Sequence, residues 1–212
     1  MRLDMMPNNS PGILITFCGL DGSGKTTLIR RLKKELEQMD LPVSLTKQPT
    51  DFVRRSAIFR TYMDFPEHSE YDYRALSLLC ASDRVQHCNR GIRPLLEQGQ
   101  AVISDRYFYS CLANLRARGY TEDAWIYEVA RSIPRPDIAF FLDIDPDTAI
   151  RRVRERPSER QRFIDVPLQY RLRGEFLDIA RDNGGVVIST NRSEDDCYSL
   201  VRDRVMEALK RV

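Results

Sequence analysis

Three glycines crowd into residues 19–24, where a buried strand must turn into a helix. The run Ile13-Leu14-Ile15-Thr16-Phe17-Cys18 is rich in β-branched side chains and stops abruptly at Gly19, which marks a strand buried on both faces. Residues 25–39 carry Leu28, Leu32 and Leu36 at four-residue spacing with Ile29 beside them, the apolar stripe of a helix. Further apolar runs at 43–46, 101–104, 138–142 and 186–188 read as strands. Helical stretches are expected at 72–97, 107–118, 122–131, from 147 to near Pro157, at 167–181 and at 194–210. Strand-then-helix repetition implies an α/β three-layer sandwich, a five-stranded parallel sheet covered by helices on both faces. Ligands of such sheets bind beyond the carboxyl ends of the strands.

Gly19-Leu20-Asp21-Gly22-Ser23-Gly24-Lys25-Thr26 fits G-x-x-x-x-G-K-[ST] at every fixed position, and its strand and helix flanks are those of a P-loop. The glycines let backbone N–H groups converge, and the helix N-terminus adds a field that favours anions. This makes residues 19–27, ending in Thr27, the expected ATP-binding loop of a P-loop NTPase fold. Lys25 is expected to reach the β- and γ-phosphates, and the Thr26 hydroxyl to ligate Mg²⁺. A guanine-reading Asn-Lys-x-Asp does not occur. Asp182-Asn183-Gly184-Gly185 imitates a switch motif, but it precedes the last strand and reads as a helix-ending glycine turn.

Length and composition set the limits within which this unit works. The chain has 212 residues, 42% of them hydrophobic and 30% charged, which fits one globular domain with an adequate core. Residues 13–212 are read as that domain, preceded by a loose polar tail at 1–12 that lacks the apolar heart of a signal peptide. The five cysteines, Cys18, Cys80, Cys88, Cys111 and Cys197, form no CxxC pair and point to reduced thiols in the cytoplasm. No apolar run approaches membrane-spanning length.

Ser104-Asp105-Arg106-Tyr107 closes the third strand. Asp105 is placed to hold Mg²⁺ or its waters, and Arg106 to clamp a phosphate bidentately. From here the chain resembles the thymidylate kinases. The resemblance rests on Phe17-Cys18-Gly19 running into the P-loop, then Thr46-Lys47-Gln48-Pro49-Thr50, Ala81-Ser82-Asp83-Arg84, Asp105-Arg106-Tyr107 with Ser110, and an arginine-rich segment ending Arg162-Phe163. It implies that Asp21 binds the acceptor's 3′-hydroxyl, Arg84 a base carbonyl and Arg106 the acceptor phosphate. It places Pro49, Ser110, Cys111 and Asn114 around that acceptor and implies a homodimer packed through helices. Several positions depart from the family pattern. Cys18 stands for a glutamate, Lys47-Gln48 for Arg-Glu, Cys80 for a phenylalanine that stacks on thymine, Cys111 for a polar residue, and Asn114 for a tyrosine that crowds a ribose 2′-hydroxyl.

Arg151, Arg152, Arg154, Arg156, Arg160 and Arg162 fall close together, with Pro157 and Ser158 interrupting the helix. The segment at about 154–165 reads as a mobile lid whose arginines neutralise charge during transfer. Because Ser23 stands where some relatives carry a P-loop arginine, the resemblance implies a catalytic arginine from the lid, with Arg156, Arg160 and Arg162 as candidates. Glu155 and Glu159 would make some of these arginines a solvated face, and nearby acids with little aromatic interleaving argue against a nucleic-acid surface. An acceptor phosphate has a second pKa of about 6 and is already nucleophilic, so no general base is required. The whole reads as an ATP- and Mg²⁺-dependent nucleoside monophosphate kinase, with dTMP as acceptor. A related kinase with a different nucleotide acceptor, or a non-catalytic nucleotide-binding switch, is the alternative.

Overall fold

The computed structural model describes residues 2–210. Strands β1 (Ile13–Gly19), β2 (Val43–Lys47), β3 (Ala101–Asp105), β4 (Ile138–Asp143) and β5 (Val186–Ser189) form one sheet in the order β2-β3-β1-β4-β5. Every pairing is parallel, with Phe17 of β1 opposite Asp105 of β3 and Phe140 of β4. Parallel strands require crossovers, and here they are helical: α1 (Lys25–Gln38), α2 (Asp51–Arg54), α3 (Ala57–Asp64), α4 (Tyr73–His87), α5 (Arg93–Glu97), α6 (Phe108–Ala117), α7 (Trp125–Ala130), α8 (Pro146–Arg154), α9 (Val166–Asn183) and α10 (Glu194–Leu209).

The two-residue period of the strands divides the core. Ile15, Phe17, Ile103 and Phe140 face one way and bury Leu28, Leu32 and Leu36 of α1 with Val201 and Val205 of α10. Leu14, Cys18, Val102 and Phe141 face the other way, under α4, α6 and α9, where Leu76, Leu112 and Phe176 meet them. All of these side chains are under 5% exposed. Burial of one such large apolar side chain contributes roughly 1.5–3 kcal/mol, so the sheet is a rigid platform for whatever lies beyond its carboxyl edge.

Three features differ from expectation. Residues 51–64 form α2 and α3, which escape a periodicity search because they are short and bury only Val53 and Tyr62. The stretch expected as one helix at 72–97 is α4, a π-helical turn at Cys88–Ile92 and α5. Gly91 sits in that turn beneath His87, whose ring would lie 3.0 Å from any added Cβ. Finally, residues 2–12 are not loose. Leu3 and Met5 are buried, the Leu3 N–H donates to Asn183 Oδ1 at 2.8 Å, and Met6 bonds to Ile133 and Arg135 through its backbone. Their polar, proline-bearing composition concealed an apolar i, i+2 pair that fills the core beside α9.

The five cysteines are free, as befits the absence of CxxC spacing. Among the described residues, no helix is long and apolar enough to cross a membrane.

Candidate active site

A cleft of about 1100 Å³ opens along the carboxyl edge of the sheet, between β1, β3, α2–α4, α6 and the segment joining α8 to α9. At one end β1 delivers the chain to Gly19, and the loop turns into α1 at Gly24, whose φ of 92° favours a residue without Cβ. Gly22 is required for a second reason: a Cβ there would lie 2.3 Å from the carbonyl oxygen of Ala149, so α8 can approach only a glycine.

Lys25 lies folded along the loop, its Nζ donating to the carbonyls of Leu20 (2.7 Å) and Gly19 (3.1 Å) and to Ser23 Oγ (3.4 Å). Burial and the neighbouring Arg106 push its pKa down to about 8, against the pull of Asp21 and Asp105. Gly19 and Ser23 stay behind the cleft wall, while Leu20, Asp21, Gly22, Gly24, Thr26 and Thr27 face it. Ser23 is fully buried, its hydroxyl taken by Lys25.

Arg106, with φ of 68°, is bent into the cleft just past β3 while its N–H bonds to Phe17 O at 2.8 Å. Its guanidinium donates to Gly19 O (3.2 Å) and pairs with Asp21. The other Asp21 oxygen takes Arg162 Nη2 at 2.9 Å. Burial alone would raise the Asp21 pKa, but Arg106, Lys25 and Arg162 together hold it well below the usual carboxylate range. An anionic P-loop side chain thus ties the acceptor-side arginine to the lid arginine. Arg156 pairs with Glu159 (3.6 Å) and Arg160 is exposed, although both border the cleft. Of the lid arginines expected from sequence, Arg162 alone is turned onto the P-loop.

Asp105 Oδ2 lies 3.6 Å from Lys47 Nζ, and its Oδ1 is buried with no hydrogen-bond partner. Asp105 and Thr26 line the same cleft, and a carboxylate and a hydroxyl are hard-oxygen donors of the kind Mg²⁺ prefers. Among the described residues no cluster of three or more protein metal ligands occurs.

Sequence reasoning missed Arg54. It lines the cleft from α2, donates from Nε to Pro49 O at 2.8 Å, and has its pKa lowered by burial and by Arg106. Two guanidinium groups close enough to repel form a ready anion site. Asp83 of α4 pins this corner by accepting from the Thr50 N–H at 2.8 Å and from the Thr50 hydroxyl. The only signal was an arginine a few residues past Gln48-Pro49, which means little until α2 is known to turn there.

The other end of the cleft is lined by Tyr73, Ser77, Cys80 and Arg84 of α4, by Ser110, Cys111 and Asn114 of α6, and by Arg118 and Tyr120 beyond it. Arg84 is 2% exposed, donates from Nη1 to Cys80 O (2.9 Å), and leaves Nε without a partner. Burial pushes the Cys80 thiol up to about 11, so it is neutral at physiological pH. Cys111 Sγ donates to Ser77 O at 3.6 Å. Arg118 lies over the Tyr73 ring (4.0 Å) and donates to Asn114 Oδ1 (3.0 Å). Ser110 Oγ turns toward Cys18 Sγ at 3.9 Å, behind the P-loop.

Similarity to known proteins covers most of the chain. The family model described as "Thymidylate kinase" matches residues 17–201. A "Probable thymidylate kinase" of Pyrococcus horikoshii is 38% identical over 174 residues, 80% of this chain and 83% of that protein. One from Thermococcus gammatolerans is 33% identical, covering 93% of this chain and its own full length. A "Thymidylate kinase" of Bifidobacterium longum subsp. infantis is 34% identical, over 92% and 90% of the two chains.

Proposed function

The chain belongs to the thymidylate kinase family, which makes it an ATP-dependent nucleoside monophosphate kinase, and on that premise we propose that it converts dTMP to dTDP with Mg²⁺. The observation that carries the proposal is the single cleft that joins a P-loop to an arginine-lined acceptor end. In the transfer, an acceptor phosphate oxygen forms a new bond to the γ-phosphorus. The bond from that phosphorus to the β-bridging oxygen breaks, and ADP leaves with its electron pair.

Each residue has a part that its position supports. P-loop N–H groups and Lys25 hold the donor phosphates, which replace the carbonyls that Lys25 touches now. Arg106 and Arg54 hold the acceptor phosphate in line, and Arg162 neutralises charge on the transferring group. Asp21, released by these arginines as phosphates arrive, is free to accept from the acceptor sugar. Arg84 offers its unpartnered Nε to a base carbonyl. Thr26 and Asp105 would hold Mg²⁺, which would supply neutralisation of charge on the donor phosphates.

A second reading, a different nucleotide acceptor, is favoured by Cys80, Cys111 and Asn114 at the base end. One experiment separates the two: ADP release measured with ATP and Mg²⁺ against each common ribo- and deoxyribonucleoside monophosphate. Preference for dTMP supports the first reading, and preference for another acceptor the second. No acceptor-dependent ADP would exclude both.

A homodimer belongs to the same proposal. Phe52 (76% exposed), Phe65 and Leu78 give the α2–α4 side an apolar surface that a second copy would cover. Light scattering of the purified chain tests this. The free thiols support a cytoplasmic location.

A further inference from the structure

Building on the kinase reading above, we propose that Arg154 is a positioning residue, fixing the lid backbone so that Arg162 is presented to the phosphates. Arg154 ends α8, where an arginine side chain ordinarily extends into water. Here it turns back along the lid, and its Nη1 donates to two carbonyls, those of Arg160 (2.6 Å) and Arg162 (2.8 Å). Among the described residues, no backbone N–H donates to either carbonyl.

The lid has little else to hold it. Its own regular structure is a single 3₁₀ turn at Pro157–Glu159, continued by the Arg162 N–H bonding to Glu159 O at 3.2 Å. Residues 164 and 165 then lead to α9, whose start is fixed by Asp165 accepting from the Leu168 N–H at 2.9 Å. Between these fixed points, one guanidinium nitrogen ties together two carbonyls that no backbone N–H among the described residues holds.

Arg162 benefits most directly, because one of the tied carbonyls is its own. With its backbone held, its side chain is aimed by Glu159 Oε2 on Nη1 (2.7 Å) and Asp21 Oδ2 on Nη2 (2.9 Å). The Phe163 ring meets the edge of His68 at 6.2 Å, which seats the following residue against the α3–α4 connection. Arg154 itself donates from Nη1 to carbonyls and is not among the side chains that line the cleft. Its contribution is therefore geometric, and a group held beforehand lowers the entropic cost of reaching the transition state.

The test compares Arg154→Ala and Arg154→Lys with the unaltered protein by two independent readouts. In steady-state assays, Arg154→Ala is expected to lower kcat about 10- to 100-fold, the scale of a small misplacement of a catalytic group. Acceptor KM should stay within about twofold, because Arg54, Arg84 and Arg106 lie outside the lid. Arg154→Lys should recover part of kcat, since an ammonium still donates to carbonyls. In hydrogen exchange without substrates, amides of residues 157–163 should exchange faster in Arg154→Ala, while those of β1 and α9 stay unchanged. If Arg154→Ala folds poorly, Arg154→Lys carries the same readouts with a smaller expected change.

A kcat within about threefold of the unaltered protein, or unchanged exchange across 157–163, overturns the proposal. An unaltered protein that is inert toward every nucleoside monophosphate overturns the kinase reading instead. The exchange experiment then still decides whether Arg154 holds the lid.

Discussion

At the P-loop end of the cleft, the ligand-facing groups are backbone amides, one lysine and three guanidinium groups, all within reach of Asp21 or its neighbours. At the opposite end they are side chains of mixed character from α4, α6 and the segment beyond α6: two thiols, two hydroxyls of serine, two arginines, an amide and two tyrosines. On the proposed function, the first end would meet charge, which every nucleotide carries in the same place. The second would meet a base and a sugar, where nucleotides differ. Backbone geometry can serve the common part, whereas side chains must serve the variable part, and three departures from the family pattern, Cys80, Cys111 and Asn114, line the second end, while Cys18 and Lys47-Gln48 lie at the first.

The comparison breaks most visibly at Lys25. Lys25→Ala should lower kcat by about 10³-fold or more, because a buried charge on the donor phosphates acts in a site of low dielectric. The fold should survive, since burying this ammonium opposes folding rather than supports it. Near-normal turnover with an unaltered melting temperature would remove Lys25 from the donor site.

Arg106→Ala comes next. It should raise acceptor KM and lower kcat together, for a combined loss of about 10²-fold in kcat/KM for the acceptor, with ATP KM little changed. Since Arg54 shares the anion, the double variant should lose less than the product of the two single losses. Strict multiplication of the two effects would mean that the residues do not share a ligand.

The depressed lysine sharpens the contrast in another way. With a folded pKa of about 8 against an ordinary 10.5, Lys25 holds fewer protons in the native state than in the unfolded chain between those values. Stability should therefore rise with pH through that window, and Lys25→Met should flatten the rise. Polyphosphate binding should pull the pKa back up. At about pH 8.5, ATP binding should take up a substantial fraction of a proton, visible as a dependence of calorimetric enthalpy on the buffer's ionisation enthalpy. Proton release in that window, or no exchange of protons, would contradict this placement of the ammonium.

How much of the site is legible in the sequence follows the same division. The P-loop is written contiguously, since three glycines, a lysine and a threonine at fixed spacing determine one turn. Asp105-Arg106 is legible because it ends an obvious strand. Arg54 is not, because its meaning depends on α2, a single turn of helix with only Val53 buried and therefore no periodicity to detect. The orientation of Arg162 toward Asp21, and of Arg156 and Arg160 elsewhere, depends on the 3₁₀ turn and on Arg154, which no local pattern announces. Tyr73, Arg118 and Tyr120 become one wall only when α4 and α6 pack together. The segment 2–12 illustrates the opposite error, where polar composition hid Leu3 and Met5.

The smallest expected effect lies at the base end and bears most closely on what the two ends do. Cys80 faces the cleft as a neutral thiol, one turn before Arg84 on the same face of α4. A phenylalanine there would add an aromatic face on the cleft wall beside the unpartnered Arg84 Nε. Base–aromatic stacking contributes roughly 1–3 kcal/mol, so Cys80→Phe should lower dTMP KM about fivefold or more while leaving ATP KM unchanged. The gain should be similar for any pyrimidine monophosphate, because stacking does not depend on hydrogen-bonding pattern. A variant that binds dTMP more weakly would show that the thiol side is occupied by something bulkier than a pyrimidine ring. The base end would then be shaped for a larger acceptor while the phosphate end stayed as it is.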